Sequence, residues 1–461
     1  MSTIDIRDYQ LQGSDFISQR GKAYLTDDAG LGKTLTVLHA LHRIRMFPVI
    51  ITASTVGLYT WSGELQRWFN EPSMIYTGLP HERRKLWKQF CGSDLKFLIT
   101  TYGMLDEIID QSQYPRVLWR ALVQDEVHRA GILNRNSLTY KKSYKFANTL
   151  PVYIPLTGTP VRHNPSDLWA PLHAISPRVF PSYWKFVNEH CVVTKVDFDT
   201  CIEPRPRDPL QFHKFVSQFM LRRRKEDVLK ELPPKTRVPL LVKPSVAQKR
   251  IYNQLANDMI AHDATSGNLI ITPNSVARIT RFRQLLVCPR ILGVDDEGAA
   301  ITAVADAIED LFCSGRPAVI FTPYREAVPF FESYLKRRLS PIAVFKIHGG
   351  LTAKDVNFVE TSFQTMTNPR RVVICVIKSG TSFQLSKASD SFFVGYEWSA
   401  IENSQSEDRL HRLGQVNNVT CNYCVHPGTI DDEILLKLDV KTTAENWTLR
   451  PQDMLKGIKK I

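Results

Sequence analysis

Ten short apolar runs set the architecture of this chain, five in each half, and each ends in polar or small residues. In the first half they are AYLT (Ala23 to Thr26), PVIITAS, LKFLITTY, RALVQDEVH and VYIPLTGTP. In the second they are PAVIFTPY, IAVFKIHGG, RRVVICVIKSG, SDSFFVGY and VTCNYCVHPG. Runs this brief, apolar at successive positions, fit strands buried on both faces, as in a parallel sheet covered by helices. Stretches between most of them supply those helices; in VLHALHRI, Val37, Leu38, Leu41 and Ile44 share one helical face. The expectation is an α/β chain in which functional residues gather at the carboxyl ends of the strands.

The rhythm occurs twice, and 461 residues exceed one ordinary domain. In KELPPKTRVPL, Pro233 and Pro234 break a preceding helix. We therefore expect two α/β domains, residues 1–235 and 236–461, meeting near residue 235 with a cleft between them. The stretch 165–235 reads as a helical and irregular elaboration of the first domain.

Chemistry begins at LTDDAGLGKT, Leu25 to Thr34. The ending is that of a phosphate-cradling loop, but Asp27 stands where the common pattern has its first glycine. Asp28, Ala29, Gly30, Leu31, Gly32, Lys33 and Thr34 form the candidate cradle. Gly30 and Gly32 let backbone N–H groups turn toward phosphate oxygens beside a helix N-terminus. Lys33 is placed for the β- and γ-phosphates, and the Thr34 hydroxyl for Mg²⁺.

About ninety residues later, ALVQDEVHRA puts two carboxylates directly after a buried strand. Adjacent residues there can divide the work: Asp125 holds Mg²⁺, and Glu126 orients and deprotonates an attacking water. His128 is placed to relay the state of the γ-phosphate. In NSQSEDRLHRLGQ of the second half, Gln405, Arg409 and Arg412 fall at i, i+4 and i+7, one stripe if the segment is helical. Two guanidinium groups and an amide make a poor core face but a good wall for a triphosphate.

In order, these motifs resemble the Swi/Snf-type ATPases of helicase superfamily two. IRDYQLQG is similar to that family's L-R-x-Y-Q-x-x-G and DDAGLGKT to its D-E-x-G-L-G-K-T, so an acidic Asp27 is normal for the class. The likeness continues through ITTYGML, DEVH, LTGTP with SDLW, MLRRRKEDVLKELPPK, VIFTPY, HGG and SQSEDRLHRLGQ, covering about residues 6 to 435. The resemblance implies two tandem RecA-like P-loop domains with the nucleotide cleft between them. It implies ATP and Mg²⁺ as cofactors, with Arg7, Gln10 and Gln405 beside the nucleotide and Gln10 near the adenine. It further implies hydrolysis coupled to stepping along double-stranded DNA. Thr157, Gly158 and Thr159 would pass the nucleotide state to the DNA-facing side, Thr100, Thr101 and Tyr102 would sit beside phosphate, and Gly380 would join that set.

Three departures accompany the likeness. The family's P-x-S before a tryptophan is replaced by Ser54 and Val56 before Trp61, and A-G-x-G-L-N-L becomes SGTSFQL with Ser382 and Gln384. The arginine expected after HGG is absent from KDVNFVETSFQ.

A net charge of +13 favours a polyanionic partner, since neutralised phosphates release counterions. LRRRKED (Arg222 to Lys225), HERRKLWK (around Arg83 to Lys88), YKKSYK and the C-terminal LKGIKKI read together as a phosphate track spanning both domains, and Trp87 as a helix-packing residue. No sequence-reading module is visible, so contacts should be mainly to the DNA backbone. Scattered cysteines suit a reducing compartment, and Cys421 and Cys424, three apart on a strand, should point to opposite faces. No run suggests a secretory signal or a membrane span. The expectation is a monomeric protein of the cytoplasm or nucleoid, of a size that fits a stripped-down bacterial or viral motor. Rival readings are a fork- or junction-acting helicase and a nucleic-acid scaffold whose ATPase has decayed.

Overall fold

The first sheet forms because its strands have no polar face. In Val49–Thr52, Val49 and Ile51 enter one apolar cluster while Ile50 enters the other, so both faces must be covered. The computed structural model describes residues 6–113, 117–128, 130–196, 199–258, 260–262, 269–272, 274–379, 383–435 and 438. The chain divides into two compact units, one closing at Lys230 and the next opening at Glu231.

In the first unit the strands are β1 (Tyr24–Leu25), β2 (Val49–Thr52), β3 (Met74–Tyr76), β4 (Phe97–Thr100), β5 (Ala121–Gln124) and β6 (Val152–Pro155). A hairpin of β7 (Cys191–Val196) and β8 (Asp199–Pro206) follows, then β9 (Met220–Leu221). The sheet runs β3-β4-β2-β5-β6, all parallel; β1 joins β6 through bridges at Lys22–Tyr153 and Leu25–Leu156 and pairs with β9 on its other side. Helices α1 (Asp8–Arg20), α2 (Lys33–Ile44), α3 (Thr55–Phe69) and α4 (Pro80–Cys91) belong to this unit. Trp87 of α4 is buried in the core and stacks with Phe90, the packing role expected of it.

The second unit has β10 (Lys235–Leu241), a small hairpin of β11 (Ile260–His262) and β12 (Leu269–Ile271), then β13 (Ala318–Thr322), β14 (Ala343–Ile347), β15 (Arg371–Val376), β16 (Asp390–Phe393) and β17 (Val419–Val425). Its sheet, β10-β17-β16-β13-β15-β14, is parallel throughout. Cys421 and Cys424 of β17 enter clusters on opposite faces, as three-residue spacing on a strand requires. Each unit, taken by itself, has the expected layout of a parallel sheet between helices.

Two features differ from the sequence expectation. The stretch 165–235 is not simply helical, because β7 and β8 pair antiparallel within it. Five further strands carried no apolar signal strong enough to announce them: β3, β9, β10 and the hairpin pair β11 and β12. Of these β3 and β10 lie at sheet edges, and β10, with Pro239 inside it, is mostly solvent-exposed; an edge is where a strand tolerates proline.

Candidate nucleotide site and its supports

The carboxyl ends of β5, β6 and β1, neighbours across the sheet, carry the three loops singled out by sequence. After β1 the chain turns through Gly30 (φ 87°) and Gly32 (φ 71°), left-handed values that favour glycine. A Cβ on Gly32 would stand 2.3 Å from the Gln10 amide nitrogen. That amide donates to the Leu31 carbonyl at 3.2 Å, and Gln10 Oε1 accepts from the Arg7 backbone at 3.0 Å. Gln10 thus braces the loop from α1, with Leu31 buried beneath it. α2 starts at Lys33, so its first-turn amides, with Thr34 in that turn, face the loop. Lys33 Nζ donates to the carbonyls of Asp27 (2.8 Å) and Asp28 (3.2 Å). Ala29 sits in the turn beside Gly158, whose Cβ would lie 3.4 Å from the Ala29 nitrogen.

The acidic opening of the loop now has a physical account. Asp27 is fully buried; its Oδ1 accepts from both the backbone N–H and Nε of Arg223, each at 3.0 Å, and Oδ2 takes Arg223 Nη2. Asp28 accepts from the Lys225 backbone at 3.2 Å and pairs with Arg222 Nη2 at 3.2 Å. Arg222 Nη1 also donates to the carbonyls of Thr26 (2.7 Å) and Gly158 (3.0 Å). The LRRRK cluster is therefore not part of a phosphate track. Arg223 faces inward because the buried Asp27 carboxylate must be paired, and Arg222 is held by the half-buried Asp28 and two loop carbonyls. Arg83 is likewise held by Glu107, at 2.8 Å.

At the end of β5, Asp125 Oδ2 accepts from the Trp61 indole at 2.9 Å, and the Asp125 backbone N–H donates to Thr52 at 2.8 Å. Burial, and then the charge of Glu126, push the Asp125 carboxyl up to about 6. Glu126 has a left-handed backbone, φ 52°, a strained value for a residue with a long side chain, directly after Asp125. Its Oε2 lies 3.2 Å from His128 Nδ1, which also contacts Thr157 Oγ1 at 2.7 Å. Thr157 Oγ1 accepts from the Thr159 backbone at 3.0 Å. One continuous chain of polar contacts thus joins Glu126, His128, Thr157 and Thr159.

Few protein oxygens meet a metal here. Among the described residues no three His, Cys, Asp or Glu side chains gather as a metal-holding group. Asp125 and the Thr34 hydroxyl match the requirement of Mg²⁺, which takes one or two protein ligands and fills its shell with water and phosphate.

In the second unit the helix Ala400–Glu407 stops before the arginines. Gln405 lies within it, but Arg409 and Arg412 follow its end, so the expected single helical stripe is not formed. Arg409 is buried, its guanidinium 4.0 Å from the Phe383 ring centre. Arg412 Nε donates to the Asp408 carbonyl at 3.0 Å. Their turn is fixed by Glu407, which is fully buried and receives Arg237 (2.6 and 2.9 Å), Lys235 (2.9 Å) and the Tyr423 hydroxyl (2.8 Å). His411 Nε2 meets the Pro233 carbonyl at 2.7 Å. Gln384 donates to the Leu413 carbonyl at 3.0 Å, so the residue that departs from the family pattern ties two functional turns together.

Other expected contacts change. Thr100 is buried, its hydroxyl donating to the Tyr76 carbonyl at 2.9 Å, so its side chain is spent within the sheet. Tyr102 donates to the Asp125 carbonyl at 2.7 Å, and Thr101 precedes the turn Tyr102–Met104 without a side-chain cap bond. Ser54 caps α3, accepting from the Gly57 N–H at 3.2 Å. Gly380 and Ser382 lie outside the described residues, as does nearly all of the chain after residue 435. Sequence reasoning missed Trp61 as the Asp125 clamp and Arg223 as the Asp27 partner; both lie far from their partners along the chain, and no local spacing announces them.

A sequence model of the SNF2-related domain matches residues 9–290, and one of the helicase conserved C-terminal domain matches residues 303–414. The chain is 26% identical to the chromatin structure-remodeling complex subunit snf21 of Schizosaccharomyces pombe, over 95% of this chain and 38% of that protein. It is 24% identical to human chromodomain-helicase-DNA-binding protein 1, over 98% of this chain and 27% of that protein. It thus spans well under half the length of these curated relatives. A solved Sulfolobus solfataricus SWI2/SNF2 ATPase core in complex with dsDNA aligns over 96% of this chain and 94% of its own, with 20% identity and a TM-score of 0.43. No helix among the described residues is long and apolar enough to cross a membrane.

Proposed function

Since the chain belongs to the SNF2-related family of superfamily-two ATPases, we propose that it hydrolyses ATP and couples turnover to movement along double-stranded DNA. The observation that carries this reading is the contact chain from Glu126 through His128 to Thr157 and Thr159, beside a braced phosphate loop. It gives the residue proposed as base a route out of the nucleotide site, which simple hydrolysis does not need.

In the proposed reaction Lys33 exchanges its loop carbonyls for β- and γ-phosphate oxygens, and the α2 amides hold the phosphates. Glu126 aligns a water on the γ-phosphorus and takes its proton as the bond to the ADP oxygen breaks. Thr34 and Asp125 would hold Mg²⁺, which neutralises phosphate charge when bound. We assign to Arg409 and Arg412 the stabilisation of charge on the transferring group, with Gln405 beside them. DNA contact is to the backbone with little sequence preference, and we propose that a single copy of the chain acts.

The test is ATP turnover with no nucleic acid, single-stranded DNA, duplex DNA and RNA, against Lys33→Ala as the control. Stimulation specific to duplex DNA supports the reading. Turnover indifferent to every nucleic acid, or absent, refutes it, and displacement of a short fork strand reassigns the chain as an unwinding helicase. Glu126→Gln should bind ATP and turn over very slowly; normal turnover removes Glu126 as the base.

A further inference from the structure

Below the relay lies a cavity of about 470 Å³ that belongs wholly to the first unit. His128 contributes to its lining, the turn Gly131–Asn136 forms one side, and the segment 162–167 forms the other. Its volume falls in the range of small-molecule sites, roughly 300–1,000 Å³.

The lining is basic and short of counter-charge. Arg135 lies with its guanidinium 4.2 Å from the Tyr183 ring centre, and Arg162 Nη1 donates to the His128 carbonyl at 3.3 Å. Neither arginine makes an ion pair among the described residues. The one carboxylate in the lining, Asp167, has its Oδ2 taken by the backbone N–H groups of Arg162 (2.7 Å) and His163 (2.8 Å). His128 is 4% exposed; its Nδ1 serves Thr157, while Nε2 is buried with no hydrogen-bond partner among the described residues. Two guanidinium groups with no ion-pair partner among the described residues, around a polar cavity whose one carboxylate is bound to backbone N–H groups, call for an anion. Planar, forked donors, one of them held over an aromatic ring, suit a tetrahedral phosphate oxyanion.

We propose that this cavity seats a phosphodiester group of the bound nucleic-acid strand between Arg135 and Arg162. The inference rests on the duplex-translocase reading and deepens it. Arg162 holds the His128 carbonyl, so a phosphate engaging Arg162 pulls on the residue that contacts Glu126. Strand occupancy is thereby reported to the hydrolytic carboxylate through two residues.

The experiment uses the full chain and a fluorescently labelled duplex, with binding read by anisotropy across a salt series. Arg135→Ala and Arg162→Gln should each weaken binding about tenfold, equally for unrelated sequences. Each should also lower the slope of log affinity against log salt by about 0.9, the loss of one phosphate contact. Arg135→Lys, which keeps charge and leaves the pocket filled, should retain the parental slope; with Arg162→Gln it carries the test if Arg135→Ala does not fold. Affinity and slope unchanged in both charge-removing variants overturn the site. So does calorimetric binding of inorganic phosphate that Arg135→Ala abolishes while duplex binding stays intact, because the cavity then takes a free anion and not a strand. A parent chain that binds no duplex at all fails the translocase reading itself, a result distinct from either.

Discussion

In the first unit the phosphate loop is anchored by Asp27, and in the second the arginine-bearing turn is anchored by Glu407; both carboxylates are fully buried. In both cases the acid sits on the functional element and the cations arrive from a remote segment, the turn after β9 in the first and the strand β10 in the second. Arg222 and Arg223 come from the end of the first unit, Lys235 and Arg237 from the start of the second. One stretch of chain, residues 222–237, thus fastens both functional loops, each within its own unit. The settings differ in water. The Arg223 side chain is 11% exposed, whereas that of Arg237 is 53% exposed and that of Lys235 20%. The first latch is sealed on both sides, and the second is open on its basic side. Equal geometry should therefore carry unequal energy, because an unpaired cation at the second latch can rehydrate and one at the first cannot.

The largest effect should come from Asp27→Ala. It strands Arg223 in a dry site, and breaking a buried pair from one side costs about 3–5 kcal/mol. The loop carbonyl that holds Lys33 belongs to Asp27 itself, so ATP affinity should fall as well. Urea unfolding followed by tryptophan fluorescence is a suitable readout, since six of the seven tryptophans among the described residues, Trp61, Trp68, Trp87, Trp119, Trp169 and Trp184, lie in the first unit. A loss below about 1 kcal/mol, the level of an exposed pair, would mean the seal is not what matters.

Glu407→Gln keeps shape and removes charge, leaving cations that water can reach, so about 1.5–3 kcal/mol is expected, below the Asp27 effect. Its pH dependence identifies the cause. Burial opposes ionisation of Glu407, but Lys235 and Arg237 outweigh it and hold the carboxyl below its ordinary value of 4.5. A depressed folded value means the contribution is complete above about pH 4.5 and drains away as pH falls below that. The stability gap between parent and Glu407→Gln should therefore be flat from pH 5 to 8 and close in acid; a gap that widens in acid contradicts the ion-pair account. Tyr423→Phe, which removes one of several donors to the same carboxylate, should cost about 1 kcal/mol by the same unfolding measurement.

Much of this was legible in the sequence for a definite reason. Strands buried on both faces are apolar at every position, so the ten runs predicted ten observed strands. The loops after β1, β5 and β6 were legible because phosphate and water chemistry needs particular residue types close together in the chain. The latches were not. Asp27 and Arg223 are partners across 196 residues, and an arginine cluster reads the same whether it faces DNA or a buried acid. The end of the helix at Glu407 was hidden too, since the i, i+4, i+7 spacing of Gln405, Arg409 and Arg412 persists in sequence after the helix has stopped. Edge strand β10 lacked an apolar signal because it packs little and works through the charges of Lys235 and Arg237.

The smallest effect should come from Arg237→Ala, and it is the sharpest probe of the comparison. Arg237 makes two of the contacts to Glu407, at 2.6 and 2.9 Å, so by geometry alone it should matter as much as Arg223 matters to Asp27. Yet more than half of its side chain is in water, Lys235 stays 2.9 Å from the same carboxylate, and Tyr423 still donates to it. Glu407 is then never left unpaired, and exposed pairs contribute about 0–1 kcal/mol. Arg237→Ala should lie within about 1 kcal/mol of the parent, and the difference should shrink further in 0.5 M salt, where screening acts within a few ångströms. A loss equal to that of Glu407→Gln, unmoved by salt, would show that contact geometry and not access to water sets the strength of both latches.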